Sequence, residues 1–192
     1  MISDCTALIL AGGDSRRMGQ DKAALLLEGL SLLDRVTATM RQSFSKVIVS
    51  VRQPREGVES PQVCDEQIDA GPLAGLVAGM AQVDTPWVFA VACDMPFVTE
   101  EVVRGLAALR DQRQAVVPVI DGHSQPLAAF YAASALEAMR ASLASGDRSL
   151  RGVLRRLDVR EVSEAELRVL DPQLRSFFDL DTPQDLATAM EK

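Results

Sequence analysis

The sequence predicts an α/β fold: a mostly parallel central sheet with helices on both faces. Three observations carry this. Short β-branched runs recur along the chain, they are apolar on consecutive residues as in strands buried on both sides, and helix-period segments alternate with them.

The first run, Thr6–Leu10, stops at Ala11-Gly12-Gly13. Helical spacing follows over about Leu32–Ser43, then a second strand over Lys46–Val51. Gln53–Pro61 holds two prolines, a glycine and several charges, and reads as a surface loop before the short strand Val63-Cys64. The next helix, Pro72–Gln82, opens behind Gly71, and Trp87–Ala92 is the following strand. Thr99 caps a helix over Glu100–Asp111 with acids in its first turn, and Ala115–Val119 is another strand. The second half is less regular: a strand at Leu127–Tyr131, helices at Ser134–Leu143 and Leu150–Leu157, and a short strand at Phe177–Leu180. A last helix opens at Thr182-Pro183. A more mixed sheet edge is expected there.

With 192 residues, 47% hydrophobic, the chain has the size and apolar content of one domain spanning 1–192. Its net charge of −7 argues against general attraction to nucleic acid or anionic membranes. The single histidine, His123, and three scattered cysteines exclude a multi-His or Cys-rich zinc site. Cys5, Cys64 and Cys93 each lie in an apolar stretch and read as buried reduced thiols. Met1-Ile2-Ser3-Asp4 places an acid where a signal peptide needs positive charge, and Trp87–Cys93 is too short to span a bilayer. A cytoplasmic protein is expected. Met18, Met80 and Met139 read as core filler.

The segment from Leu10 to Lys22 is the most informative. It lies after the first strand, where open parallel sheets bind ligands, and its paired Gly12-Gly13 lets backbone amides approach a ligand closely. Arg16, Arg17 and Lys22 add cationic donors suited to phosphate. The segment matches neither the Walker A pattern nor G-x-G-x-x-G, and the bland alternative is a glycine turn with solvated cations. Asp94, between a strand and Pro96, is placed to hold Mg²⁺ through one carboxylate plus substrate phosphates; otherwise it caps a turn. Asp179 and Asp181 flank Leu180, and only one of them is expected to share a face with Asp94; Asp181 also reads as the last helix's N-cap. Asp65 has the acceptor pair that guanine's N1–H and N2–H₂ require, or is simply a loop acid. The turn Asp121–Gln125 and the loop Ser145–Ser149 are the candidate acceptor surface.

Taken in order, Leu10-Ala11-Gly12-Gly13, Arg16-Arg17-Met18-Gly19 with Asp21-Lys22, Gly71-Pro72-Leu73-Ala74-Gly75, Cys93-Asp94-Met95-Pro96 and Asp181-Thr182-Pro183 resemble the molybdenum cofactor guanylyltransferase family over almost the whole chain. The resemblance implies a three-layer Rossmann-like nucleotidyltransferase fold and transfer of GMP from GTP to molybdopterin. It implies nucleotide contacts from Leu10, Ala11, Gly12, Gly13, Lys22, Ser50, Asp65 and Asp94, with Arg16, Lys22 and Asp94 acting in catalysis. Mg²⁺ is implied on Asp94 and Asp181, with cofactor-delivering proteins and molybdoenzymes as partners. At Ser50 the family often has Asn, and at Asp179-Leu180-Asp181 an Asn-containing sequence. A CTP-using or sugar-phosphate nucleotidyltransferase, and a nucleotide or cofactor carrier without turnover, are the alternatives.

Overall fold

A computed structural model describes residues 1–12, 21–65, 71–182, 184, 185 and 187. Strand β1 (Ile2–Leu10) runs through the middle of the sheet and pairs in parallel with β4 (Phe44–Val51) on one side and β6 (Trp87–Ala92) on the other. A one-turn 3₁₀ segment, Lys22–Ala24, and a small antiparallel hairpin, β2 (Leu26–Leu27) and β3 (Leu30–Ser31), lead into α1 (Leu32–Ser43). The remaining elements are β5 (Gln62–Cys64), α2 (Gly71–Met80), α3 (Glu100–Ala108), β7 (Ala115–Ile120), β8 (His123–Ser124), β9 (Ala128–Ala132), α4 (Leu136–Ala144), α5 (Leu150–Leu154), β10 (Val159–Val162) and α6 (Glu164–Leu170).

The strand order is β10-β7-β9-β6-β1-β4-β5, with β8 attached to β7. Along that path every pairing is parallel except the two made by β9. The antiparallel strand therefore lies inside the sheet, between β6 and β7, and not at a mixed edge. Fully apolar β9 (Ala-Ala-Phe-Tyr-Ala) suits that interior position, because both its faces are covered.

Two cores flank the sheet, and the period-2 alternation of β1 feeds both. Ala7 and Ile9 face α1, α3 and α6 through Val36, Met40, Val102, Leu106 and Leu167, with Phe44, Phe89 and Phe130 packed ring to ring. Leu8 and Leu10 face α2, α4 and α5 through Leu73, Leu76, Met139 and Val153. Both faces carry helices, as the apolar strands require. Met80 and Met139 are buried core residues, whereas Met18 lies outside the described residues.

Several expectations need correction. Phe177–Leu180 is not a strand: Phe177 closes a 3₁₀ turn, the Phe177 and Phe178 amides bond back to Leu174 and Arg175, and no ladder forms. Helix α5 ends at Leu154 and α3 at Ala108, each shorter than its apolar periodicity. Strand β10 and helix α6 were not legible as apolar runs, although Ser163 and Glu166 form a full capping box, a spacing present in the sequence. Cys5 and Cys93 are buried, but Cys64 is exposed because β5 is the edge strand.

Candidate active site

Chain topology creates the site. From β1 the chain moves to β4 and β5 on one side, then crosses back to β6 on the other and on to β7, so the connections leaving β1 and β6 run to opposite sides of a switch point. A crevice of about 540 Å³ opens there, within the range of small-molecule sites. Leu10, Ala11 and Gly12 from β1, Ser50 and Arg52 from β4, Asp65 after β5, and Cys93, Asp94 and Met95 after β6 line it. Gly71, Pro72 and Gly75 contribute the amino end of α2, whose backbone N–H groups and dipole favour an anion.

The walls are held by backbone bonds that extend the ladders: Ala11 N–H donates to Ser50 O (2.8 Å) and Cys93 N–H to Leu10 O (3.1 Å). Ser50 is buried at the floor, and a Cβ at Gly75 would lie 2.7 Å from its hydroxyl. Only glycine lets α2 approach that floor so closely. A turn further along the helix, Gly79 makes the same close approach to Leu8.

Lys22, Asp94 and Asp181, far apart in sequence, meet at one point. The Lys22 ammonium donates to Asp94 Oδ2 at 3.0 Å and also to Asp181 Oδ1. Burial alone would lower the Lys22 pKa, but the bonds to Asp181 and Asp94 outweigh it and hold the amine above its ordinary value. Lys22 is thus ion-paired with acids from other elements, a pairing invisible in the local sequence, where only Asp21 is near.

Besides the Lys22–Asp181 pair, a backbone bond from Leu180 N–H to Asp94 O (2.9 Å) fastens the Asp179–Asp181 segment to the site. Leu180 is fully buried against Leu27 and Leu32. Residues two apart in extended chain fall on the same side, so both Asp179 and Asp181 face the Asp94 side; the expectation that only one does is overturned. Loss of water in the crevice, then the charges of Asp94 and Asp181, push the Asp179 carboxyl up to about 7, although the residue as a whole keeps an exposed surface. Burial pushes the Cys93 thiol up to about 12, so it is no nucleophile at neutral pH.

Of the sequence candidates, Leu10, Ala11, Gly12, Lys22, Ser50, Asp65, Asp94 and Asp179 line the crevice, and Asp181 reaches it through Lys22. Gly13, Arg16 and Arg17 lie outside the described residues. Sequence reasoning missed Arg52 and Arg151. Arg151 sits on α5, beyond any motif, and only the packing of α5 on the sheet turns it toward the crevice. Of the candidate acceptor turn, Ser124 and Gln125 line the crevice, while His123 is exposed with its ring nitrogen on Asp121 O. The loop Ser145–Ser149 instead supports α5, with Ser149 as N-cap. Among the described residues, no group of three His, Cys, Asp or Glu side chains is placed to hold a metal ion by itself, and no helix is long and apolar enough to cross a membrane.

Residues 7–162 match the family model described as MobA-like NTP transferase domain. The chain is 32% identical to the molybdenum cofactor guanylyltransferase of Desulfosudis oleivorans, covering 96% of this chain and 93% of that one. It is 33% identical to the molybdenum cofactor guanylyltransferase of Syntrophotalea carbinolica, covering 94% and 88%. Among solved structures, molybdopterin-guanine dinucleotide biosynthesis protein A from Archaeoglobus fulgidus superimposes with a TM-score of 0.86 at 29% identity over 97% of each chain. The 2-C-methyl-D-erythritol 4-phosphate cytidylyltransferase of Thermus thermophilus shares the fold, with a TM-score of 0.70 at 22% identity over 97% of each chain.

Proposed function

The chain belongs to the MobA-like NTP transferase family, and from that premise we propose that it is a molybdenum cofactor guanylyltransferase, transferring GMP from GTP to molybdopterin and releasing diphosphate. The observation that carries the reading is the convergence of Lys22, Asp94 and Asp181 at the mouth of a crevice lined by the Ala11-Gly12 backbone and the amino end of α2.

In this reaction an oxygen of the terminal phosphate of molybdopterin attacks the α-phosphorus of GTP, and the bond to the β-phosphate breaks. A phosphate monoester is largely dianionic at neutral pH, so the nucleophile needs no general base. The task is to align two anions and offset their charge. The backbone amides of Ala11 and Gly12 and the start of α2 hold the phosphates; the resemblance gives Arg16, outside the described residues, a further catalytic role. Lys22, released from its carboxylate partners, follows the negative charge onto the triphosphate. Asp65 accepts from the guanine edge, and Ser50 supports the nucleotide from the floor.

The carboxylates of Asp94 and Asp181 converge on one ammonium, and such hard oxygen donors fit Mg²⁺, which takes one or two carboxylates and completes its shell with water and phosphate. When bound there, Mg²⁺ supplies charge neutralisation for the phosphates. Arg151 and Gln125, which also line the crevice, are the residues proposed to meet the acceptor. A cytoplasmic site of action, cofactor-delivering proteins and recipient molybdoenzymes complete the proposal.

The test is to incubate the protein with molybdopterin, Mg²⁺ and each of GTP, CTP, ATP and UTP, reading the dinucleotide product by mass spectrometry and diphosphate by coupled assay. GTP alone giving product at a substantial rate is expected. Equal use of CTP overturns the base assignment, and nucleotide binding without diphosphate release points to a carrier.

A further inference from the structure

Lys22 stands on a single 3₁₀ turn, too short to fix a long side chain without help. Asp21 provides that help. Its Oδ1 accepts from Ala23 N–H (3.2 Å) and so caps the turn, while its Oδ2 takes the guanidinium of Arg55. Arg55 lies 34 residues away in the loop between β4 and β5, a stretch with the composition of plain surface. It is not loose there: Arg55 N–H donates to Gln62 Oε1 (2.8 Å), and Gln62 Nε2 donates back to Arg55 O (2.9 Å). Gln62 is the first residue of β5 and pairs with Val49 of β4. The Arg55 side chain is 23% exposed. An unbroken chain of bonds thus runs from the sheet through Gln62, Arg55 and Asp21 to the turn that carries Lys22.

We propose that Arg55 is a positioning residue for Lys22: through Asp21 it holds the turn so that the ammonium is delivered at the crevice mouth. The inference rests on the guanylyltransferase reading. It assigns a kinetic role to a residue that does not line the crevice itself, although its own pocket, shared with Arg52 and Gly12, adjoins it. A displacement of about 1 Å of a catalytic group costs up to roughly a hundredfold in rate, which is the scale on which a support residue acts.

The experiment compares Arg55→Ala, Arg55→Lys, Asp21→Asn and the double variant Arg55→Ala/Asp21→Asn. Asparagine caps a turn as well as aspartate does, so Asp21→Asn removes the ion pair and keeps the cap. Arg55→Ala and Asp21→Asn are each expected to lower kcat by roughly ten- to a hundredfold, with KM for GTP changed by less than about threefold. The double variant should be no worse than either single one, because both cut the same link. Arg55→Lys, which retains one charged donor, should recover most of the loss. A second readout needs no turnover: acylation of Lys22 by an amine-reactive ester, mapped by peptide mass spectrometry, should rise several-fold in the two single variants. Loss confined to KM, multiplying losses in the double variant, or unchanged kcat with unchanged Lys22 labelling overturns the proposal. A wild-type protein that makes no dinucleotide refutes the guanylyltransferase reading instead, and the labelling arm then decides the structural link alone.

Discussion

Lys22→Ala is expected to disable turnover far more than it weakens the fold. The Lys22 ammonium lies 3.0 Å from Asp94 Oδ2 and also bonds Asp181; the three side chains are 18%, 19% and 47% exposed. Exposed ion pairs contribute roughly 0–1 kcal/mol, whereas removing one partner of a fully buried pair costs roughly 3–5 kcal/mol. A partly exposed cluster falls between, at about 1–2 kcal/mol, or roughly 2–8 °C in Tm for a domain of this size. Lys22 is held above its ordinary pKa, so its contribution is complete at pH 7 and is lost only as alkaline pH rises through the raised value. Loss of a charged donor at developing negative charge costs far more, roughly 10²–10³ in kcat. Thermal melts at pH 7 and dinucleotide formation on the same preparations separate the two quantities. Turnover within about threefold of wild type would remove Lys22 from the chemistry, and a Tm loss beyond about 15 °C would make it chiefly structural.

Asp94→Asn should abolish GMP transfer at ordinary Mg²⁺ while the melting curve stays close to wild type, and Asp181→Asn should do so less completely; unchanged Mg²⁺ dependence in both variants would place the metal elsewhere. Gly79→Ala drives a Cβ well inside van der Waals contact with the methyls of fully buried Leu8, so overpacking of roughly 1–3 kcal/mol outweighs a helix-propensity gain of about 1 kcal/mol and Tm should fall. Gly105→Ala meets Leu170, which is only partly buried and can turn aside, so that Tm should hold or rise; equal effects at the two sites would refute the distinction. Glu166, in the capping box of α6 and bonded to Ser163 and Arg160, is held at about 2 against an ordinary 4.5. Its stabilisation is present above pH 4.5 and fades as pH falls toward 2, so Glu166→Gln should lower Tm by roughly 1–3 °C at pH 7 and by less in acid; a constant difference would refute this.

What the sequence by itself determined is the main strands and helices, which depend on local pattern, although the same kind of reading put a strand at Phe177–Leu180 and passed over the capping box of α6. Consecutive apolar residues in Thr6–Leu10 and Trp87–Ala92 define strands covered on both faces, the first strand ends just before Ala11 and Gly12, and Asp94 stands where a strand exits the core. Each of these follows from side-chain period or backbone freedom over a few residues. Tertiary structure alone decided what joins across the sheet. The interior place of β9 depends on which strands pair, and the ion pairs of Lys22 with Asp94 and Asp181 span 72 and 159 residues. Asp181 reaches Lys22 only because Leu180 inserts beside Leu27 and Leu32 and its amide bonds Asp94 O, turning the flanking carboxylates inward. Arg151 and the Arg55–Asp21 link were unreadable for the same reason. A cation on a short helix or in a proline-rich loop looks solvated in sequence, and only the packing of its element against the sheet brings it to an acid or a crevice.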